Sequence, residues 1–127
     1  MNTLTVTRDP NGLTETLPIP IPDIMFMEYD PSTGKIAVHA IEDSMDEVYY
    51  MSGTLRYWVE TLNGSGFNFV KGDRTVVVNV DKVRMVNPLF KTAYFDSGSH
   101  FGCMLSNSGY KEMMSRIKTL HIQVAFA

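Results

Sequence analysis

The segment FVKGDRTVVVNVDKV, residues 69–83, constrains the fold more than any other part of the chain. It places a basic and polar stretch, Lys71–Thr75, directly before the β-branched run Val76–Val78. β-Branched residues favour strands, and a strand this apolar is at least half buried. We therefore predict a strand over 75–80 that follows a turn at Lys71–Thr75. Arg74 then lies at a rigid strand end, where its guanidinium can be directed outward at a partner.

The composition is that of an ordinary single-domain globular protein. The chain has 127 residues, of which 44% are hydrophobic and 20% charged, and this length is sufficient to bury a core. No apolar run approaches the ~18 residues of a membrane span, and the N-terminus lacks the basic and apolar regions of a signal peptide. A single cysteine, Cys103, excludes an intramolecular disulfide and fits a reducing compartment. We expect one domain over 1–127, in the cytoplasm and without a membrane partner.

Sequence motifs of the common enzyme and cofactor classes are not found. The chain contains no GxSxG, GxxxxGK[ST], HExxH or CxxC. The three histidines, His39, His100 and His121, are too widely spaced to suggest a metal site. We interpret Cys103 as a small core residue, because free cysteine is usually buried. We therefore expect no enzymatic activity, no cofactor and no metal.

The charges are distributed unevenly along the chain. Residues 1–70 contain three basic and ten acidic residues, a net charge of −7, whereas residues 71–127 contain eight basic and four acidic residues, a net of +4. Such asymmetry favours a basic face that binds nucleic acid. The alternative is that folding mixes the two halves and leaves no basic patch.

The apolar periodicity predicts short strands separated by turns, with two helices. Predicted strands cover 3–8, 13–21, 23–29, 35–41, 48–51, 75–80, 83–86, 89–95, 100–105 and 121–126, with an acidic connection at 42–47. The prolines of 13–21 predict an edge strand or an extended linker there. One helix is expected to begin near Ser52–Thr54 and to end at Asn63–Gly66, and the other covers Ser108–Lys118. The pattern is typical of a mainly β (β-rich α+β) fold.

Five segments are similar, in order and spacing, to those of one known family. The central segment, Phe69–Asn79 followed by Val80–Val83, resembles Phe-x-Arg-x-His-Arg-Ser-x-x-Val-Asn followed by Leu-Asp-Lys-Ile. The other four are Asp23–Glu28, Gly53–Leu62, Ala93–Ser99 and Leu105–Lys111. From about residue 17 to 118, the chain thus resembles the LytTR family of bacterial DNA-binding domains.

The resemblance implies a fold of small antiparallel sheets stacked in a row, with one helix packed between them and a short C-terminal helix. Residues 17–118 would form the family-matching region and residues 1–16 an N-terminal hairpin extension. The family usually joins this domain to a receiver or sensor, for which this chain has no room, so we expect a free-standing domain.

The resemblance also implies that loops, rather than a recognition helix, read double-stranded DNA. The loops would be those at Thr33–Lys35, Lys71–Arg74 and Asn107–Lys111. The candidate DNA-binding residues are Arg74, Lys71, Asp73, Thr75, Lys35, Thr33, Asn107, Ser108 and Lys111. The chain departs from the family at Asp73, which replaces a histidine, and at Asn107-Ser108, which replace an arginine pair.

Each candidate role has an alternative. Arg74 can bind guanine or phosphate with its planar fork, or can be a surface residue paired with Asp73. Lys71 can bind phosphate or be simply solvated. Asp73 repels phosphate but can accept a hydrogen bond from a cytosine amino group. The residues at 107–111 can face DNA, or can reflect capping of the last helix by Ser106 or Ser108.

These features predict a bacterial-type transcriptional regulator that binds double-stranded DNA sequence-specifically. The alternative is a protein–protein interaction module, or an antagonist, that has the same fold and has lost or weakened DNA binding. Control by a homodimer or a regulatory protein partner is also possible. Exposed strand edges near the proline-rich arm offer a surface for a second chain.

Overall fold

The computed structural model describes residues 2–42 and 45–127, in which strands predominate over helices. The strands are β1 Thr3–Val6, β2 Leu17–Pro20, β3 Ile24–Asp30, β4 Lys35–Glu42, β5 Met45–Met51, β6 Phe69–Asp73, β7 Val76–Asn79, β8 Met85–Asn87, β9 Thr92–Tyr94, β10 Gly102–Met104 and β11 Ala125–Phe126. The helices are α1 Leu55–Gly64 and α2 Asn107–Thr119. Short 3-10 turns lie at Ile21–Asp23 and Val80–Lys82. The prediction of a mainly β fold is confirmed.

A five-stranded antiparallel sheet in the order β5-β4-β3-β7-β6 forms the middle of the molecule. Its central strands β3 and β7 contain the runs Ile24–Met27 and Val76–Asn79, and both runs are buried at every position. Side chains of a strand alternate between the two faces, so such runs require cover on both faces of the sheet. Two separate hydrophobic cores provide that cover.

The two cores stack the sheets in a row. On one face, Val77 packs with residues of α1 and of the β1–β2 hairpin, among them Leu4 and Leu62. On the other face, Val78 packs with residues of α2 and of a second sheet, including Met113 and Ala93. This second sheet has four strands in the order β10-β9-β8-β11. The fold expected from the resemblance, with small sheets in a row and a short C-terminal helix, is therefore observed.

The helix α1 begins as the periodicity predicts. The Thr54 hydroxyl accepts a hydrogen bond from the Tyr57 N–H at 3.1 Å and caps the helix. Leu55 and Leu62, near the two ends of α1, are buried in the core that contains Val77. Such a cap satisfies one of the N–H groups that the first turn of a helix leaves unpaired.

The largest departure from the sequence prediction lies in the central segment. Lys71 and Asp73 belong to β6, because Phe69–Asp73 pairs with β7 as an antiparallel neighbour. A register shift between Lys71 and Asp73 marks a bulge, which increases local twist. Only Arg74 and Thr75 remain in the turn. The prediction of a turn over the whole of Lys71–Thr75 was therefore wrong.

Other strand boundaries also differ. The strand predicted over 3–8 ends at Val6, and the strand predicted over 121–126 covers only Ala125–Phe126. Three further differences have a visible cause. Strand β5 begins at Met45, which pairs with Glu42 of β4. The acidic connection predicted over 42–47 is therefore part of two strands at residues 42 and 45–47. Residues 43 and 44 lie outside the described residues. Residues 13–16 do not continue β2, because the Asp9 carboxylate accepts backbone N–H groups of this loop. Residues 88–91 precede β9 as a turn, because the Asn87 side chain accepts two backbone N–H groups there.

The start of α2 lies directly on β6. A Cβ atom added to Gly109 would come within 2.0 Å of the Gly72 carbonyl oxygen, and one added to Gly72 would meet the Leu105 side chain at 2.3 Å. The Ser106 N–H and hydroxyl both bond to the Gly72 carbonyl, at 2.9 and 3.2 Å. Glycine at position 109 therefore permits the helix and strand backbones to approach more closely than a side chain would allow, whereas Gly72 leaves space for the Leu105 side chain.

We expect Gly109→Ala to lower the free energy of unfolding by about 1–3 kcal/mol, the usual cost of overpacking a rigid site. The matched control is Gly64→Ala at the end of α1, where an added Cβ has no atom within 4 Å. That change should leave stability equal or slightly higher, since alanine favours helix over glycine. Urea unfolding followed by circular dichroism measures both. Equal stability of the two variants would contradict the close contact.

Candidate nucleic-acid interface

Two hairpin turns lie side by side at one end of the central sheet. The β3–β4 turn spans Pro31–Gly34, and the β6–β7 turn consists of Arg74 and Thr75. The Tyr29 N–H at the end of β3 donates to the Thr75 carbonyl at 2.9 Å, so the two hairpins are joined at this end. Their centres are two strand spacings apart, about 10 Å.

The β6–β7 turn leaves the Arg74 guanidinium available. Its neighbour Asp73 is half-buried, and the Asp73 carboxylate accepts the Arg74 backbone N–H at 2.6 Å. Among the described residues, no carboxylate lies within ion-pair distance of the exposed Arg74 side chain. The geometry thus disfavours an Arg74–Asp73 ion pair and assigns the Asp73 carboxylate to the turn itself.

Lys71 lies on β6, on the opposite face from α2. Strand alternation places Lys71 on the same face as Phe69, which packs with α1, whereas Val70 packs in the core that contains α2. The Lys71 side chain is exposed. Cationic and polar groups therefore approach the β6–β7 turn from both faces of the sheet.

The N-terminus of α2 supplies the groups on the second face. The Ser106 hydroxyl accepts the Gly109 N–H at 3.0 Å, so Ser106 is the N-cap. Asn107 and Ser108 follow as the exposed first residues of the helix, and Lys111 is exposed one turn later. Of the two capping alternatives, Ser106 is the one observed, and Asn107 retains an uncommitted amide because no described hydrogen bond involves its side chain.

The β3–β4 turn uses most of its polar groups internally. The Ser32 hydroxyl and N–H both donate to the Asp30 carboxylate, at 2.7 and 3.0 Å. The Ser32 hydroxyl is the main cause that holds the pKa of Asp30 below its usual range. Thr33 accepts the Lys35 N–H at 3.2 Å, and the Lys35 ammonium donates to the Ser52 hydroxyl at 3.2 Å. Thr33 shapes the turn, and Lys35 offers a positive charge near its surface.

The structure brings all nine predicted residues to one end of the molecule, which we call the turn edge. The turn edge comprises residues 31–35, 71–75 and 106–111. The link between its second and third segments is the pair of Ser106 hydrogen bonds to Gly72. The link between its first and second segments is the Tyr29–Thr75 hydrogen bond.

Sequence reasoning missed one cation beside the turn edge. Lys91 ends the β8–β9 turn with a φ of 50°, and its ammonium lies 4.9 Å from the centre of the Tyr110 ring on α2. A cation over an aromatic face at this distance is attracted to the ring. The Lys91 carbonyl also accepts the Leu105 N–H at 2.8 Å, directly before the cap of α2. No periodicity or motif in the sequence signals this contact between distant residues.

Other reactive side chains lie away from the turn edge. Burial raises the pKa of the Cys103 thiol to about 12, so the nucleophilic thiolate is scarce at neutral pH. His39 lies between Glu28 and Asp46, at 2.9 and 3.5 Å, with its ring stacked on Phe26. Within residues 2–42 and 45–127, no group of three or more His, Cys, Asp or Glu side chains could hold a metal. The helices described here are all too short or too polar to cross a bilayer.

The comparison with known protein families identifies the class of the chain. The family model of the LytTr DNA-binding domain matches residues 14–118, most of the chain. The protein therefore belongs to the LytTR family of DNA-binding domains, and DNA binding in transcription regulation is the function of its class. A search of curated proteins found no match.

We expect Ser106→Ala to lower the free energy of unfolding by about 1 kcal/mol, because it removes an N-cap. The same change also removes the hydroxyl bond to Gly72. Ser115→Ala is the matched control on an exposed position of the same helix, and we expect it to be neutral or slightly stabilising. Thermal or urea unfolding distinguishes them, and an unchanged Ser106→Ala protein would contradict the assigned cap.

Proposed function

We propose that this protein is a transcriptional regulator that binds double-stranded DNA sequence-specifically through the turn edge. The observation that carries the proposal is the β6–β7 turn, whose Arg74 guanidinium is exposed and has no described carboxylate partner. The turn is held by a strand pair on one side and by the N-terminus of α2 on the other. A donor fork on so rigid a support is suited to a bidentate contact with guanine.

The dimensions of the turn edge favour a single turn that contacts bases, with phosphate contacts on either side of it. The two hairpins of the turn edge cover four neighbouring strands, which at their usual spacing span about 14 Å, whereas the major groove is about 12 Å wide. The whole edge therefore cannot enter one groove. In our proposal Arg74 and Thr75 enter the groove, while Lys71, Lys35 and Lys111 contact phosphates along its borders.

The polar groups beside Arg74 have distinct proposed roles. Asn107 and Ser108 lie at the first positions of α2, where helix N–H groups attract phosphate and an amide can bind a base edge. Asp73 acts in the first place through the turn, since its carboxylate accepts the Arg74 N–H. Because the carboxylate is engaged in that hydrogen bond, it should repel a nearby phosphate less strongly. Thr33 supports its own turn rather than contacting DNA, because its hydroxyl is engaged there.

We expect Arg74→Ala to weaken binding to a cognate duplex by about 1–3 kcal/mol, the range for a bidentate base contact. Arg74→Lys keeps the charge but loses the fork, so it should weaken cognate binding nearly as much. The matched control is Lys118→Ala, which removes one exposed cation roughly 18 Å along α2 from its cap. Gel shifts on duplexes selected from a random pool provide the measurement. Full cognate affinity in Arg74→Ala would contradict the assignment.

We expect Lys71→Ala to weaken binding to cognate and to random duplexes about equally. It should also lower the salt slope of binding by about one unit, as for loss of a single phosphate contact. A titration of binding against salt concentration measures this, again with Lys118→Ala as the control. If the wild-type protein binds no duplex even at low salt, the proposed function is contradicted, and the alternative of a protein–protein interaction module is favoured.

A further inference from the structure

The turn between β8 and β9 presents two large apolar side chains to solvent. Leu89 is 79% exposed and Phe90 is 62% exposed, one directly after the other. On β10, Met104 is 70% exposed and pairs with Thr92 at the base of the same turn. Burying side chains of this size stabilises a protein by roughly 1.5–3 kcal/mol each, so their shared exposure at one turn marks a contact surface.

This exposure does not result from a loosely held loop. The Asn87 carboxamide oxygen accepts the N–H groups of Leu89 and Phe90, each at 3.0 Å. The Lys91 ammonium donates to the Pro88 carbonyl at 2.8 Å, and the Thr92 hydroxyl donates to the Phe90 carbonyl at 3.1 Å. The two apolar side chains are therefore held outward by a fixed backbone, which lowers the entropy cost of inserting them into a partner.

The β8–β9 turn is continuous with the turn edge. The N–H of Leu105 donates to the Lys91 carbonyl at 2.8 Å, and the next N–H, that of Ser106, donates to the Gly72 carbonyl at 2.9 Å. Two successive amides thus join this turn to the strand that precedes Arg74. A duplex bound by the turn edge would have Leu89 and Phe90 at the side of its contact surface.

The charge around the β8–β9 turn favours DNA over a protein partner. The stretch from Lys82 to Phe95 contains no acidic residue and three cations, including Arg84 and Lys91. Lys91 directly follows Phe90 in the chain, and its ammonium lies over the Tyr110 ring. Apolar side chains flanked by cations, in a protein of a DNA-binding family, correspond to the wedges that enter minor grooves and partly unstack a base step.

We propose that Leu89 and Phe90 form an apolar wedge that enters the minor groove next to the major groove read by Arg74 and kinks the duplex there. This inference rests on the proposed function of the turn edge. It adds a second source of sequence preference, because pyrimidine–purine steps such as TA and CA/TG unstack more readily than others. Specificity would then extend to base pairs that no polar side chain touches.

The test uses the full chain and a duplex selected from a random pool, labelled at its two ends for energy transfer. The wild-type protein shortens the end-to-end distance, and an unstacking-sensitive base analogue at the wedge step becomes brighter. The double variant Leu89→Ser/Phe90→Ser binds with little bending, and its affinity falls on the order of tenfold only for duplexes that contain a flexible step.

The matched control replaces two exposed apolar residues far from the turn edge, Met45→Ser/Leu120→Ser. Met45 lies at the opposite end of the central sheet, and Leu120 follows the C-terminal end of α2. This control should bend the duplex as the wild type does. Because both variants change exposed side chains, unfolding curves should coincide with that of the wild type.

The possible outcomes separate the wedge from the function on which it rests. If the wild type binds the duplex in an Arg74-dependent manner but leaves it straight, or if the wedge variant bends it fully, the wedge is overturned and the turn edge stands. If the wild type binds no duplex, both proposals fall. If the wedge variant changes only the self-association measured by sedimentation, the apolar turn contacts a second copy of the chain and the wedge is overturned.

Discussion

The backbone contact between Gly72 and Gly109 determines where the other parts of the turn edge lie. It brings α2 against β6 with no side chain between them, and Ser106 fixes the remaining freedom with two hydrogen bonds to the same carbonyl. Strand β6 is the last strand of the central sheet, and such an edge leaves backbone groups unpaired. Ser106 therefore both satisfies an edge carbonyl and caps α2. Together with the close approach of Gly109 to Gly72, it sets the distance between Arg74 and the first residues of α2.

The two-sided core makes the turn edge rigid, as the proposed contact with DNA bases requires. Strands β3 and β7 are buried on both faces. The ends of the turns that extend from these strands are therefore held in place by the sheet. The carboxylates in these hairpins, Asp30 and Asp73, are engaged by turn hydroxyl and N–H groups. The acids thus stabilise the shape of the turns, while the cations Lys71 and Arg74 remain exposed beside them. Shape and charge at this edge are supplied by different residues.

The sequence predicted the fold class, most strands and the central position of Arg74, because alternating apolar residues and turn residues are local signals. It failed where a distant partner decides the local structure. Lys71–Asp73 forms a strand because β7 pairs with it, although glycine and charged residues alone favour a turn. The same limit applies to Lys91, whose contact with Tyr110 joins two elements that no periodicity connects. The grouping of the three candidate loops came from the family resemblance, since register between hairpins cannot be derived from one sequence.

The departures from the family pattern at Asn107 and Ser108 change the electrostatic attraction to DNA. Loss of two cations there removes part of the phosphate attraction, which is equal for all duplexes and sensitive to salt. The base contact that we propose for Arg74 differs between duplexes and is kept. A chain with a net charge of −3 also gains little from long-range attraction to DNA. On the proposed function, these changes would reduce non-specific binding more than cognate binding, so the ratio of cognate to non-specific affinity would rise although the absolute affinity would fall. In such a protein, direct base contacts and duplex deformability carry a larger share of site selection than charge does.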